Sequence, residues 1–226
     1  MRHLPAGLLD RFRDAAHELP QRDDAVYAQA GRDPRDPIFG LGPRDAGIAF
    51  FGRDPGRDEV HVGVPFIGAG GRQVRRVLYR RHHHGEMIDT GDALKAGEGY
   101  FWANTVPYKP EGNRAWPMRV KRQFQPLVAE VLLSLWDGRH VISLGREAFH
   151  WFGIGQHREI RQHLLHHWRQ PDRFETSLAI EFAGPQGAAR TLEIHPLPHP
   201  SPLNAIWFKR FPGLLAQRLE MLEGGV

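Results

Sequence analysis

The residues with the plainest chemical capacity lie in three short stretches. The first is Gly52-Arg53-Asp54-Pro55-Gly56, directly after the apolar run Ile48-Ala49-Phe50-Phe51. An apolar run broken by Gly and Pro predicts a strand that ends in a sharp turn, with Asp54 at its centre. A carboxylate at the carboxyl end of a strand stands where open α/β sheets keep their active sites, and it can orient water or stabilise a cation. The same position also suits a turn-forming or helix-capping Asp with no chemistry. The second stretch is His199-Pro200-Ser201-Pro202-Leu203-Asn204, an imidazole ahead of a Pro-rich turn. The third centres on Asn104, at the end of the aromatic run from Tyr100 to Val106, whose amide can both donate and accept. Two histidine sets, His82-His83-His84 and His163, His166 and His167, have spacings able to bind zinc. Neither has a Cys or carboxylate to complete it, so no metal is expected.

These stretches need a frame, and the hydrophobic periodicity supplies one. Apolar spacing predicts a helix over 4–19, ended by Pro20, and then a Pro/Gly-rich loop from Gln29 to Gly47. Residues 70–81 predict a helix with Val74, Val77 and Leu78 on one face and Arg72, Arg75, Arg76 and Arg80 on a solvated one. Its free N–H groups would start beside the Asp54 turn and could hold a phosphate. Further strands are expected over 100–106 and 141–144, with helices over 121–136 and 146–152. Two more strands, 177–182 and 190–194, flank Gly184-Pro185-Gln186-Gly187, and a last helix covers 205–222. Strands that alternate with helices predict an α/β fold, a single three-layer α/β/α sandwich around a short, mostly parallel sheet.

Composition narrows the class. At 226 residues the chain suits one domain, 1–226, long enough for a full core. Thirty Lys and Arg against 26 Asp and Glu give a basic protein of pI about 9.7, which favours a polyanionic partner or reflects an Arg-rich composition alone. No apolar run reaches membrane-span length and the start lacks a signal-peptide core, so a cytoplasmic monomer with no membrane partner is expected. Cysteine is absent, which excludes disulfides, thiolate catalysis and Cys-bound zinc or iron–sulfur clusters.

The motifs, in order, are Gly52 to Gly56, Val64-Pro65-Phe66-Ile67-Gly68-Ala69-Gly70-Gly71, Asn104 and His199 to Asn204. Together they resemble the uracil-DNA glycosylase superfamily, whose first motif reads GEAPG or GQDPY and whose last reads HPSPL. The loop Pro107-Tyr108-Lys109-Pro110-Glu111-Gly112-Asn113-Arg114-Ala115-Trp116-Pro117 is similar to the family 4 pattern K-C-R-P-P-G-N-R-x-P. The resemblance is closest to family 4 and runs from about Pro37 to Leu203. It divides the chain into an N-terminal helix and loop (1–36), a motif-bearing core (37–203) and a C-terminal helix (204–226). Family 4 enzymes carry a four-cysteine iron–sulfur cluster; its positions fall near Tyr108, Gln123 and the stretch 27–32, none of them Cys here, so packing must hold those loops instead.

The resemblance implies a monofunctional glycosylase that flips uracil out of DNA and hydrolyses its N-glycosidic bond, leaving an abasic site. A base in a duplex must leave the stack before chemistry can reach it. By the motifs, Asp54 is the carboxylate and His199 the donor to the departing base. Gly52 and Arg53 line the pocket, Phe66 stacks on the base and Asn104 reads its edge. Pro200, Ser201 and Pro202 grip phosphates beside Asn204, and Leu203 is the wedge. Arg57 and Lys109, with Arg114 and Lys209, are expected phosphate contacts. The chain departs from family 4 at Arg53, where the acidic residue of GEAPG would stand, while Asp54 matches the acid of GQDPY. Gly56 replaces the Tyr that excludes thymine in family 1, so another deaminated base or mismatched thymine is an alternative substrate. A catalytically silent DNA-binding or damage-sensing homologue is a further alternative. A His-bearing loop that forms DNA adducts in some relatives has no counterpart in 113–124.

Overall fold

The computed structural model describes residues 3–83, 85–112 and 114–224; His84 and Asn113 of the motifs above lie outside them. Five strands are arranged in the order β2-β1-β3-β5-β4. They are β1 (Ile48–Gly52), β2 (Phe101–Asn104), β3 (His140–Leu144), β4 (Leu178–Ala183) and β5 (Ala189–Leu197). β1 pairs in parallel with β2 and β3, and β3 with β5, while β4 runs antiparallel to β5. The chain thus forms a single α/β domain with a central mixed sheet flanked by helices.

β1, β2 and β3 are buried along nearly their whole length because both faces are covered, whereas β4, at the edge, alternates buried and exposed residues. Ala49, Phe51, Phe101, Ala103 and Val141 face one core with α1 (Ala6–Ala16), α6 (Met118–Ser134), α7 (Arg146–Trp151) and α8 (Arg158–Arg169). Ile48, Phe50, Trp102, Ile142 and Leu144 face the other with α4 (Ala69–His82), α5 (Thr90–Ala96) and α9 (Ala205–Glu223). Each fully buried apolar side chain contributes about 1.5–3 kcal/mol. The remaining helices are α2 (Asp24–Gln29) and α3 (Arg57–Val62).

The expected elements are present with shifted ends, and four helices were not expected: α2, α3, α5 and α8. The first three have only six or seven residues, too few to display a period. α8 has a single buried residue, Leu164, so its apolar stripe is thin. β5 extends three residues beyond the expected strand and includes Pro196. That proline lies past the last β4 pair, Leu178↔Ile194, where one side of β5 has no ladder to lose. One expectation about the helices fails outright. Arg75 is not on a solvated face but 2% exposed.

Candidate active site

The turns that follow β1, β2, β3 and β5 open at one end of the sheet and enclose a cleft of about 920 Å³. Gly52, which ends β1, has no room for a side chain: a Cβ there would lie 2.6 Å from the Phe66 ring. Phe66 holds a φ of 61°, unusual for a residue with a bulky side chain. Arg75 fixes it there by donating to the carbonyls of Phe66 (2.8 Å), Pro65 (3.1 Å) and Ala93 (2.7 Å), with its guanidinium 4.3 Å over the Trp102 ring. Burial pulls the Arg75 pKa down to about 10, and it stays charged at neutrality. Charge-assisted bonds to three carbonyls hold the strained Phe66 backbone in place.

Glu59 ties the Asp54 turn to the Phe66 loop. Its carboxylate accepts from the backbone N–H of Gly56 (2.9 Å) and of Gly68 (3.0 Å). The first bond is half of a capping box at the start of α3, and the Gly-x-x-Glu spacing was its signal in the sequence. A Cβ on Gly56 would stand 2.6 Å from Glu59 Oε2, so the carboxylate fills the space a larger residue at 56 would take.

Asp54 has a side chain only 1% exposed. Burial pushes its pKa up to about 7, against the pull of Arg53, Thr105, Lys121 and the Trp116 backbone N–H. Thr105 Oγ1 donates to Asp54 Oδ1 at 3.2 Å. Arg53 Nε is 3.7 Å from Oδ2, an ion contact too long for a hydrogen bond. Among the described residues Oδ2 accepts no hydrogen bond, and the Thr105 bond to Oδ1 is the side-chain bond that holds the carboxylate.

Asn104, at the end of β2, is 4% exposed. Its Nδ2 donates to the Arg53 carbonyl at 2.6 Å, which fixes the orientation of the amide, since only the NH₂ group can face an acceptor. Its Oδ1 is buried without a hydrogen-bond partner among the described residues. His199 follows β5 and packs on Gly145, whose φ of 91° lets β3 turn into α7; a Cβ at 145 would come 2.9 Å from His199 Cβ. Burial first, and then Arg53, pushes the His199 pKa down to about 4, so its imidazole is neutral at pH 7.

A buried carboxylate, a neutral imidazole, an aromatic ring and an orphaned amide oxygen thus face one cleft from the ends of β1, β2 and β5 and from the loop between α3 and α4. The family model of the uracil DNA glycosylase superfamily matches residues 39–223. The chain belongs to that superfamily. No curated protein matches it.

Of the residues singled out in the sequence, Gly52, Arg53, Asp54, Gly56, Arg57, Phe66, Asn104 and the whole run His199 to Asn204 line the superfamily cleft. Leu203 stands at its rim, 92% exposed, on a turn in which its N–H donates to Ser201 Oγ at 3.3 Å. Gln73 of α4 holds the start of α9 behind that turn by donating to the Phe208 carbonyl at 2.8 Å. Arg57 is exposed at the first position of α3. Arg114 and Lys209 are exposed but do not line the cleft.

Lys109 is a correction. It is 4% exposed, and its ammonium donates to Asp23 Oδ2 and to the carbonyls of Pro110 and Gly112, each at 2.9 Å. All three N–H groups are used inside the protein, so no phosphate can reach them. Family 4 places its cluster in this region, and without cysteine the chain cannot form one. The Tyr108 hydroxyl meets the carbonyls of Phe12 and Arg35, both at 2.9 Å, and the Lys109 N–H donates to the Tyr27 hydroxyl at 3.0 Å. Gln123 Nε2 donates to the Ala15 carbonyl at 2.9 Å.

At the opposite end of the sheet His140, Glu193 and His195 bring potential ligand atoms within 4.8 Å of one another. Their hydrogen bonds argue against a metal. Arg218 can only donate, so at 2.7 Å it makes His195 Nδ1 an acceptor and leaves the proton on Nε2. That Nε2–H then donates to His140 Nδ1 at 3.1 Å, and neither nitrogen is free to ligate. Burial, reinforced by Arg218, pushes the His195 pKa down to about 3 and keeps it neutral. His195 is a joint between β3, β5 and α9. No described helix is long and apolar enough to cross a membrane.

Proposed function

We propose that the protein is a monofunctional DNA glycosylase that extrudes uracil from DNA and hydrolyses the bond between its N1 and the sugar C1′. The observation that carries this is the pairing, across one cleft, of a nearly inaccessible Asp54 with a neutral His199. Leu203 enters the duplex as an apolar wedge, and the extruded base stacks on Phe66. Asn104 Oδ1 accepts the uracil N3–H, and the Nδ2 hydrogen not used by Arg53 donates to O4. Cytosine offers an acceptor at N3 and a donor at C4, and both clash with this amide.

As the C1′–N1 bond breaks, its electron pair leaves with the base as an anion. The His199 N–H donates to O2 and stabilises that charge without giving up its proton, as an oxyanion donor does. Ionised Asp54 faces the oxocarbenium-like sugar; water adds to C1′ and loses a proton towards the carboxylate. Asp54 must be ionised to act, so the rate is expected to rise with pH through about 7. The absent family 4 acid and Arg53 in its place favour a second reading, a homologue that binds DNA without turnover; a third, a glycosylase for a bulkier deaminated base, is suggested by Gly56, but the Glu59 carboxylate stands beside it.

The test is alkali-revealed cleavage of a labelled oligonucleotide carrying one uracil, single-stranded or opposite G or A. Wild type is expected to cut, Asp54→Ala and His199→Ala to lose about 10²–10³-fold in rate, and His199→Gln, which keeps a neutral donor, to recover part of it. Cleavage that survives Asp54→Ala assigns the wrong carboxylate. A wild type that binds DNA but leaves uracil, hypoxanthine, xanthine and mismatched thymine intact is a binder.

A further inference from the structure

The groups that favour ionised Asp54, Arg53 aside, come from one segment: Thr105, the Trp116 backbone N–H and Lys121. Lys121 is itself buried, and its ammonium is bonded to Glu147 of α7. Residues 105–121 contain the 107–117 loop and the start of α6, and the described residues of the loop form no helix or strand, only the bridge at Pro110. Its anchors lie elsewhere in the chain. Lys109 Nζ grips Asp23, Lys109 N–H meets Tyr27 and Tyr108 meets Phe12 and Arg35. Arg22 and Pro110 form a bridge beside Glu111 N–H, which donates to the Gln21 carbonyl at 2.7 Å. Inside the loop, Trp116 Nε1 donates to the Tyr108 carbonyl at 2.9 Å and carries the restraint from the anchored end to the end beside Asp54. Each of these outside anchors of the loop itself precedes residue 39, where the match to the family begins.

We infer that residues 12–36 act as a brace for the reacting carboxylate, with Lys109 as the positioning residue that joins the brace to the loop. A buried ammonium with three acceptors has little freedom, and a carboxylate that receives only one full hydrogen bond depends on its neighbours staying in place. Loosening the loop withdraws the Trp116 N–H, which disfavours the ionised form, while Thr105 stays tied to the Gly52 carbonyl and Lys121 to Glu147. Arg53, on Asp54's own turn, is unaffected. The inference rests on the proposed role of Asp54 only for its effect on rate.

The experiment follows the Asp54 carboxyl carbon by ¹³C NMR through a pH titration, assigned with Asp54→Asn. The proteins are wild type, Lys109→Met, the milder Asp23→Asn, which leaves the ammonium its two carbonyl acceptors, and Leu164→Ala in α8 as a core truncation. In Lys109→Met the midpoint is expected to rise by about 0.5–1 pH unit, less in Asp23→Asn, and not in Leu164→Ala despite its lower thermal stability. The acid limb of kcat/KM on uracil DNA should move with it. An unmoved midpoint in both lock variants, or an equal shift in Leu164→Ala, overturns the brace. A midpoint that moves while the rate profile does not supports the brace and overturns the assignment of Asp54 to the reaction. Should Lys109→Met fail to fold, Asp23→Asn alone decides.

Discussion

At the scale of single residues, the site is built from groups in costly states. Asp54 has a carboxyl group whose pKa rises from 3.8 unfolded to about 7 folded, because burial disfavours its charge. The protonated form is therefore favoured by the folded state, and the stability it contributes is present below pH 4 and lost as pH climbs through 7. The difference corresponds to roughly 4 kcal/mol. Asp54→Asn removes this dependence. Relative to wild type, the variant is expected to gain stability steadily between pH 4 and 7 and then level off, with urea unfolding at pH 5, 6 and 8 as the measurement. A constant difference across that range would mean that Asp54 ionises normally. The neutral His199 and the orphaned Asn104 oxygen belong to the same pattern: each is a buried polar group without its usual solvent.

At the scale of elements, the junctions do the positioning. Gly145 turns β3 into α7 with φ 91° and ψ 168°, a region that only glycine enters cheaply. Gly145→Ala adds about 1–3 kcal/mol of strain and sets a methyl group against His199. Its expected signature is a single-turnover rate at least tenfold lower, with DNA affinity within about twofold of wild type, since the displaced group is the one we propose to act on the leaving base. Affinity that falls with the rate would place the damage in the Pro200–Leu203 turn instead. This scale also explains what the sequence made legible. Apolar runs closed by Gly or Pro, such as Ile48 to Gly56, are local signals, and the cleft residues cluster around them. Arg75 and Lys109 were hidden for one physical reason. Each is a charged residue with partners between one and 86 positions away along the chain, and burial of such groups is paired case by case, with no period to reveal it. Hence Arg75 was expected in solvent and Lys109 on phosphate.

At the scale of the whole molecule, the two long helices on one sheet face, α4 and α9, are in contact and both start at the cleft. Both end at the other side, where His82, His83, Leu222 and Glu223 border a cavity of about 540 Å³. Their dipoles therefore add, positive toward the cleft and negative toward the far cavity. Arg80, Arg81 and His82 in the last turn of α4 offset the negative end, and Arg81 also pairs with Glu223. Basic residues at the far end thus complement helix ends, whereas Arg57 at the cleft is exposed to a ligand. Arg57→Glu is expected to weaken DNA binding by about tenfold at low salt and to flatten its salt dependence, while Lys95→Glu at the far cavity leaves both unchanged. Equal losses, read by fluorescence anisotropy at several salt concentrations, would mean that the basic surface acts without direction. The parallel course of α4 and α9 has a kinetic meaning as well. A body with a built-in dipole is turned by a polyanion as it approaches, so a duplex bound as we propose meets the cleft before the first contact, and fewer collisions are spent in orientations from which no base can be reached.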